Sequence, residues 1–132
     1  MNILVVDDRQ LAVNALLRML GDIDAGYTCR GACSGESALA CARECPPDVA
    51  FLDIEMPGMG GIDLAHALRK INEHVNIVFA TAHGDYALEA HGMYVSGYLL
   101  KPISEQAVRD ALAHLRYPVA AAQQDPPRPL IE

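Results

Sequence analysis

Short apolar segments alternate with longer segments of helical periodicity along this chain, and that alternation limits the folds it can adopt. The apolar segments lack period-two alternation, which is typical of strands buried on both faces of a parallel sheet. The predicted strands are Ile3 to Val6, Tyr27 to Cys33, Val49 to Leu52, Val75 to Ala80 and Tyr98 to Leu100. The predicted helices cover about residues 9–20, 35–44, 61–71, 84–92 and 104–115. This order predicts an α/β protein with crossover helices on both faces of the sheet.

The length of 132 residues suits one hydrophobic core and is too short for two. Five strands alternating with five helices at this length favour a flavodoxin-like (βα)5 three-layer sandwich with strand order 2-1-3-4-5. We predict that residues 1–116 form this domain. Residues 117–132 hold four of the eight prolines and no apolar periodicity, so we predict a linker or a disordered tail there.

Composition argues against several functional classes. The 17 acidic residues outnumber the 10 basic ones, so the net negative charge opposes direct binding of nucleic acid. The apolar run near the start is too short for a signal peptide or a membrane span, and we expect a cytoplasmic protein that does not bind membranes. The four cysteines lack the spacing of paired zinc ligands, and we expect reduced, mostly buried thiols.

Acidic residues follow two of the predicted strands. Asp7 and Asp8 come directly after the first strand, and Asp53 follows the third. In the order 2-1-3-4-5 these strands are neighbours, and their carboxyl ends border the ligand crevice of such folds. Three carboxylates at one point repel one another, and a hard divalent cation with oxygen ligands relieves the repulsion. We therefore predict a Mg²⁺ site formed by these acids.

The remaining strands end in a hydroxyl and an ammonium group. Thr81 follows the fourth predicted strand, and Lys101 follows the fifth. A carboxylate nucleophile, a metal ion and donors for phosphoryl oxygens are the groups that phosphoryl transfer to an aspartate requires. Asp53 is the predicted nucleophile because it stands alone at the middle of the crevice.

Each of these residues also has a purely structural interpretation. Asp7 and Asp8 are suited to capping the first helix, and Thr81 to capping the fourth. Lys101 fits a solvated charge before a proline, and Tyr98 fits a half-buried packing residue. Their joint occurrence at the strand ends favours a common site.

The motifs VVDD, FLDIEMPGMGG, ATAH and GYLLKP, in this order and spacing, resemble the receiver domain of bacterial two-component response regulators. The resemblance covers about residues 2–116. It implies that Asp53 accepts a phosphoryl group from a sensor histidine kinase, a phosphotransfer protein or a small acyl phosphate. It also implies a switch that is not an enzyme beyond self-catalysed phosphotransfer and autodephosphorylation.

The resemblance assigns further roles to individual residues. Thr81 and Lys101 would contact the phosphoryl oxygens, and Thr81 and Tyr98 would form the conformational switch. The peptide bond between Lys101 and Pro102 would be cis. Glu55 and His83 occupy positions that influence how long the phosphate survives in similar receivers. The implied Mg²⁺ ligands are Asp7, Asp8, Asp53 and the backbone carbonyl of Glu55.

The output of the switch is the least constrained feature. Similar receivers commonly dimerise through the face formed by the fourth helix, fifth strand and fifth helix. The segment TAHGDYALEAH followed by GYLLKP resembles receivers joined to LytTR-type DNA-binding domains, which implies a role in transcription regulation. The alternatives are a stand-alone receiver that acts through protein contacts and a phosphatase with an aspartyl-phosphate intermediate.

Overall fold

A computed structural model describes residues 1–119 of the chain. Within them, five strands alternate with five helices in the predicted order. The strands are β1 (Asn2–Val6), β2 (Thr28–Ala32), β3 (Val49–Leu52), β4 (Asn76–Thr81) and β5 (Gly97–Leu100). The helices are α1 (Gln10–Ile23), α2 (Gly35–Glu44), α3 (Gly61–Ile71), α4 (Ala87–Gly92) and α5 (Glu105–Ala113).

All strand pairs are parallel, and the strand order is β2-β1-β3-β4-β5. The predicted fold class is therefore confirmed. Every residue of β3 and β4 is buried, which accounts for their continuous apolar sequences. The edge strand β2 is largely exposed, and its apolar signal is correspondingly weak.

Two hydrophobic clusters lie on opposite faces of the sheet. Leu4 and Val6 of β1 belong to the cluster beneath α2 and α3, whereas Ile3 and Val5 belong to the cluster beneath α1 and α5. Successive side chains of a strand point to opposite faces, so one short strand contributes to both layers. The sheet is thereby held between two helical layers, as the three-layer prediction requires.

Helix boundaries differ from the predictions where local signals compete with packing. The fourth helix, predicted from residue 84, begins at Ala87, because the preceding Gly84 and Asp85 favour a turn. The first helix continues past Gly21 to Ile23; Ile23 packs against the core, which offsets the low helix propensity of glycine.

Several smaller expectations have mixed outcomes. The cysteines are free thiols, but they are half-buried rather than mostly buried, because they lie at the margins of the hydrophobic clusters, on or next to the edge strand β2 and helix α2. No helix within residues 1–119 has both the length and the apolar character needed to span a bilayer. The domain boundary at residue 116 stays a prediction, and residues 120–132 of the predicted tail lie outside the described part of the chain.

A buried asparagine connects the start of β4 to the segment that follows α5. The Asn76 side-chain amide donates hydrogen bonds to the carbonyl oxygens of Asp48 and Tyr117, at 3.1 and 2.7 Å. Its oxygen accepts from the Ser96 hydroxyl at 2.8 Å and from the Tyr117 backbone N–H at 2.7 Å. Asn76 is 1% exposed, so these bonds form largely out of contact with solvent.

We expect Asn76→Ala to lower the free energy of unfolding by ~1–3 kcal/mol, because it leaves buried backbone groups without partners. Urea unfolding followed by circular dichroism measures the change. Asn14→Ala on the exposed side of α1 is the matched control, with an expected change within ~0.5 kcal/mol. Equal unfolding midpoints for the two variants would contradict this role of Asn76.

Candidate functional site

The predicted acids meet at the carboxyl ends of β1 and β3. Val6 and Leu52 are partners in the parallel register, so Asp7 and Asp53 follow them side by side. The Asp53 backbone N–H donates to the Val6 carbonyl at 3.0 Å. Asp7, Asp8 and Asp53 each offer a carboxylate oxygen within 4.8 Å of the others. Asp7 and Asp53 are buried, and Asp8 is exposed.

Lys101 lies between the two buried acids. Its ammonium nitrogen is 2.6 Å from Asp7 Oδ2 and 3.2 Å from Asp53 Oδ2. The side chain is 17% exposed, so the interpretation of Lys101 as a solvated charge is wrong. The Lys101 backbone N–H donates to the Thr81 carbonyl at 2.8 Å, which holds the residue beside the end of β4.

Burial and charge act in opposite directions on this group. Burial raises the pKa of Asp53 above its ordinary value, Lys101 opposes the rise, and Asp7 adds to it. For Lys101, burial alone would lower the pKa, but the hydrogen bond to Asp7 and the charge of Asp53 outweigh it and leave the pKa raised. The site therefore favours the protonated form of Lys101 and makes ionisation of Asp53 less favourable than in the unfolded chain.

The donor set of this site fits a hard divalent cation. Mg²⁺ prefers oxygen ligands and usually takes one or two protein carboxylates together with phosphate oxygens and water, and Asp7, Asp8 and Asp53 supply such oxygens within reach of one another. The Glu55 backbone N–H donates to Asp53 Oδ1 at 3.2 Å, which brings the Glu55 backbone to the same carboxylate. The Glu55 carbonyl as a metal ligand stays a prediction.

The capping interpretations of the acids and of Thr81 are wrong. Helix α1 begins after Arg9, which makes no side-chain cap, and Asp7 instead accepts the Arg9 backbone N–H at 2.9 Å. Helix α4 begins after Tyr86, also without a side-chain cap. Thr81 is completely buried at the end of β4. It does not lie at the start of a helix.

The backbone that carries Asp53 packs directly against the start of α3. A Cβ atom added to Gly61 would collide with the Asp53 carbonyl oxygen and lie 2.8 Å from Ile54 Cα. The Gly61 backbone N–H donates to the Ile54 carbonyl at 2.8 Å. Only glycine permits this close approach, so Gly61 contributes to the position of Asp53.

Thr81 and Tyr98, the predicted switch residues, both bond to the main chain of His83. The Thr81 hydroxyl oxygen accepts from the His83 backbone N–H at 3.3 Å. The Tyr98 hydroxyl donates to the His83 carbonyl at 2.6 Å. The peptide bond between Lys101 and Pro102 is cis, as predicted. One residue of the segment after β4 thus connects both predicted switch side chains.

Tyr86 belongs to the surroundings of the site and was missed by the sequence analysis. Its hydroxyl donates to Glu55 Oε2 at 2.9 Å, and the other Glu55 oxygen lies 2.9 Å from His83 Nε2. The hydrogen bond to Glu55 raises the pKa of the Tyr86 hydroxyl above its ordinary value. No local pattern predicts this contact, because Glu55 and Tyr86 lie in different loops that only the folded sheet brings together.

Family comparison agrees with this arrangement of strands and acids. Residues 3–113 match the family described as the response regulator receiver domain. The chain belongs to this family. The predicted resemblance is therefore confirmed, and the receiver domain functions in two-component signalling. Receiver domains are signalling switches and are generally not classed as enzymes.

Curated relatives of this receiver include transcription regulators. It is 40% identical over 114 residues to the positive alginate biosynthesis regulatory protein of Pseudomonas aeruginosa, which covers 85% of this chain and 46% of the relative. It is 39% identical over 118 residues to the transcriptional regulatory protein BtsR of Escherichia coli, with 86% and 47% covered. The sensory transduction protein LytT of Bacillus subtilis is 35% identical over 112 residues, with 85% and 46% covered. The chain thus spans about half the length of these relatives.

Solved receiver structures share the fold. The chemotaxis protein CheY4 of Vibrio cholerae superposes with a TM-score of 0.76 at 28% identity, covering 85% of this chain and 95% of that chain. The response regulator TrrA of Thermotoga maritima, solved in complex with Mg²⁺ and BeF, gives 0.75 at 29% identity, with 85% and 96% covered.

We expect Gly61→Ala to destabilise the receiver by ~1–3 kcal/mol, the usual range for overpacking, because the backbone at Asp53 must shift. Gly21→Ala is the matched helical control: no atom lies within 4 Å of its added Cβ, and we expect a gain of ~0.5–1 kcal/mol. Chemical unfolding of both variants measures the difference. A Gly61→Ala protein as stable as the wild type would contradict the close packing.

Proposed function

We propose that this receiver is a phosphorylation-activated switch that accepts a phosphoryl group on Asp53 in a Mg²⁺-dependent reaction. The donor is a sensor histidine kinase, a phosphotransfer protein or a small acyl phosphate. The observation that carries the proposal is the position of Lys101, whose ammonium group lies 3.2 Å from Asp53 and 2.6 Å from Asp7. A largely buried ammonium group next to the acceptor carboxylate suits a site that must bind a dianionic group.

Each residue of the site has a separate role in the proposed phosphoryl transfer. An Asp53 carboxylate oxygen forms the new bond to phosphorus as the bond to the donor breaks, and the electron pair of that bond leaves with the donor. Lys101 and Thr81 donate to the phosphoryl oxygens as negative charge accumulates on them. Asp7, Asp8, Asp53 and the Glu55 carbonyl would hold Mg²⁺. When bound, Mg²⁺ supplies positive charge to the phosphoryl oxygens.

Phosphorylation changes the charge that Lys101 and Thr81 encounter. A phosphoryl group adds about two negative charges, by analogy with other phosphorylated side chains. Thr81 then moves toward the phosphoryl oxygens and gives up its bond from the His83 N–H. Because Tyr98 bonds to the carbonyl of the same residue, the movement of Thr81 and the position of Tyr98 are coupled. The phosphate thus biases an equilibrium between two arrangements.

The proposed output surface is the face formed by α4, β5 and α5. Leu88 of α4 is 84% exposed, and Leu100 at the end of β5 is 54% exposed. Exposed apolar side chains of this kind suit a protein contact, and we propose a phosphorylation-dependent homodimer through this face. The predicted absence of direct nucleic-acid binding by this segment fits such a role.

The relatives favour transcription regulation as the output. Their names describe transcriptional and biosynthesis regulators, and they are about twice as long as this chain. We propose that residues 1–116 form the receiver and that residues 117–132 begin a linker to a LytTR-type DNA-binding domain. The alternative is a stand-alone receiver that acts only through protein contacts. A gene that ends at residue 132 would support that alternative.

We expect acetyl phosphate with Mg²⁺ to add one phosphoryl group to the wild type and none to Asp53→Asn, because the amide is not a nucleophile. Intact-mass measurement under non-acidic conditions detects the addition. Equal labelling of both proteins would refute Asp53 as the acceptor. Sustained hydrolysis of a phosphomonoester by the wild type would favour the phosphatase, the rival in which Glu55 acts as general acid.

We expect millimolar Mg²⁺ to raise the melting temperature of the wild type more than that of Asp53→Asn, because a ligand of the folded state stabilises it.

In metal-free buffer at neutral pH we expect Asp53→Asn to have a higher melting temperature than the wild type. The folded state raises the pKa of Asp53, so stability falls as pH rises past the ordinary carboxyl pKa, and the amide avoids that loss. Thermal scans with and without chelator test both statements. Equal Mg²⁺ shifts in the two proteins would contradict metal binding by Asp53.

A further inference from the structure

Three side chains from two loops meet at the rim of the site. Glu55 lies in the loop between β3 and α3, whereas His83 and Tyr86 lie in the loop between β4 and α4. Glu55 Oε1 is 2.9 Å from His83 Nε2, and Glu55 Oε2 accepts from the Tyr86 hydroxyl at 2.9 Å. We call Glu55, His83 and Tyr86 the rim latch. Each oxygen of the Glu55 carboxylate has a partner from the neighbouring loop.

Tyr86 is the best-anchored member of the latch. Its ring is half-buried and packs against the hydrophobic cluster beneath α2 and α3, while its hydroxyl reaches outward to Glu55. The side chains of His83 and Glu55 are 53% and 46% exposed, so their contact alone is weak. A rigid ring fixed at its base presents the hydroxyl at a defined point. The hydrogen bond from Tyr86 is also exposed, but its donor is fixed by the packed ring, so Tyr86 restrains the position of the Glu55 carboxylate.

Both loops joined by the rim latch also form hydrogen bonds with residues of the proposed phosphorylation site and switch. On one side, the Glu55 backbone N–H donates to Asp53 Oδ1. On the other side, the His83 main chain bonds to the Thr81 hydroxyl and to the Tyr98 hydroxyl. The two loops that the latch joins follow β3 and β4, so they flank the carboxyl edge at which Asp53 stands.

Loss of the phosphoryl group requires water at this edge. The water oxygen forms a bond to phosphorus, the bond from phosphorus to the Asp53 oxygen breaks, and its electron pair stays on the regenerated Asp53 carboxylate. Both water protons leave with the phosphate as H₂PO₄⁻. The water must approach in line with the bond that breaks. A carboxylate that holds such a water orients it and accepts its proton in the transition state.

We propose that Tyr86 is a positioning residue that holds Glu55 in the rim latch and thereby prolongs the lifetime of the phosphoryl group on Asp53. The inference rests on the phosphorylation of Asp53 proposed above. With the rim latch formed, Glu55 Oε2 accepts from the Tyr86 hydroxyl and Glu55 Oε1 lies beside His83 Nε2, so the two loops stay joined. Without the Tyr86 hydroxyl, Glu55 Oε2 binds water instead, and the loops separate more easily.

The experiment compares Tyr86→Phe with the wild type. Both proteins are loaded with acetyl phosphate and Mg²⁺ and then passed rapidly through a desalting column into Mg²⁺ buffer. Intact mass follows the phosphorylated fraction over time. We expect Tyr86→Phe to lose the group about two- to fivefold faster, a size that reflects the modest strength of exposed hydrogen bonds and ion pairs. The phenyl ring keeps the packing against the core.

Two controls separate the latch from general effects of the substitution. Tyr94 is 64% exposed and outside the latch, so Tyr94→Phe is expected to keep the wild-type lifetime. The second control places Tyr86→Phe in a Glu55→Ala background, which retains the backbone carbonyl of residue 55. If Tyr86 acts through Glu55, the added substitution changes nothing further.

The outcomes distinguish this inference from the function on which it rests. An unchanged lifetime of the phosphoryl group in Tyr86→Phe would refute the proposed role of Tyr86. It would leave the proposed phosphorylation of Asp53 unaffected. An equal acceleration in the wild-type and Glu55→Ala backgrounds would show that Tyr86 acts by another route and would also refute the proposed role of Tyr86. A wild type that takes no phosphoryl group would refute the proposed function and the latch together.

Discussion

The ion pairs of Lys101 with Asp7 and Asp53 are the contacts on which the site depends. Two buried carboxylates at neighbouring strand ends repel each other, and one ammonium group within 2.6 and 3.2 Å reduces that repulsion. Lys101 reaches this position because it directly follows β5, whose pairing with β4 places its backbone N–H against the Thr81 carbonyl. The three carboxylates still outnumber the one ammonium group, so an added anion would increase the negative charge of this site.

The parallel register of the sheet makes this contact possible. β1, β3, β4 and β5 end at one edge, so residues from four distant parts of the sequence share one small volume. Hydrophobic clusters on both faces hold the strands in this register and leave polar groups at the strand ends. The two hydrophobic clusters therefore stabilise the sheet, and the polar residues of the site lie at the strand ends and in the loops that follow them. The close approach of Gly61 to the Asp53 backbone serves both the packing of α3 on the sheet and the position of Asp53 in the site.

His83, in the loop after β4, contacts both predicted switch residues and the loop after β3. His83 bonds to Thr81 and Tyr98 with its main chain and contacts Glu55 with its side chain. A change at Asp53 can therefore affect two loops and the start of α4 without a long chain of intermediates.

The sequence by itself determined the order of elements, the buried strands and the convergence of Asp7, Asp8 and Asp53, because hydrophobic periodicity and strand-end position are local signals. It also indicated the cis bond before Pro102, through a family resemblance. Only the tertiary structure decided the start of α4, the location of Lys101 between two acids and the contact of Tyr86 with Glu55. The physical reason is that helix starts depend on competition between turn formation and packing, and ion pairs between loops depend on distances that no local pattern encodes.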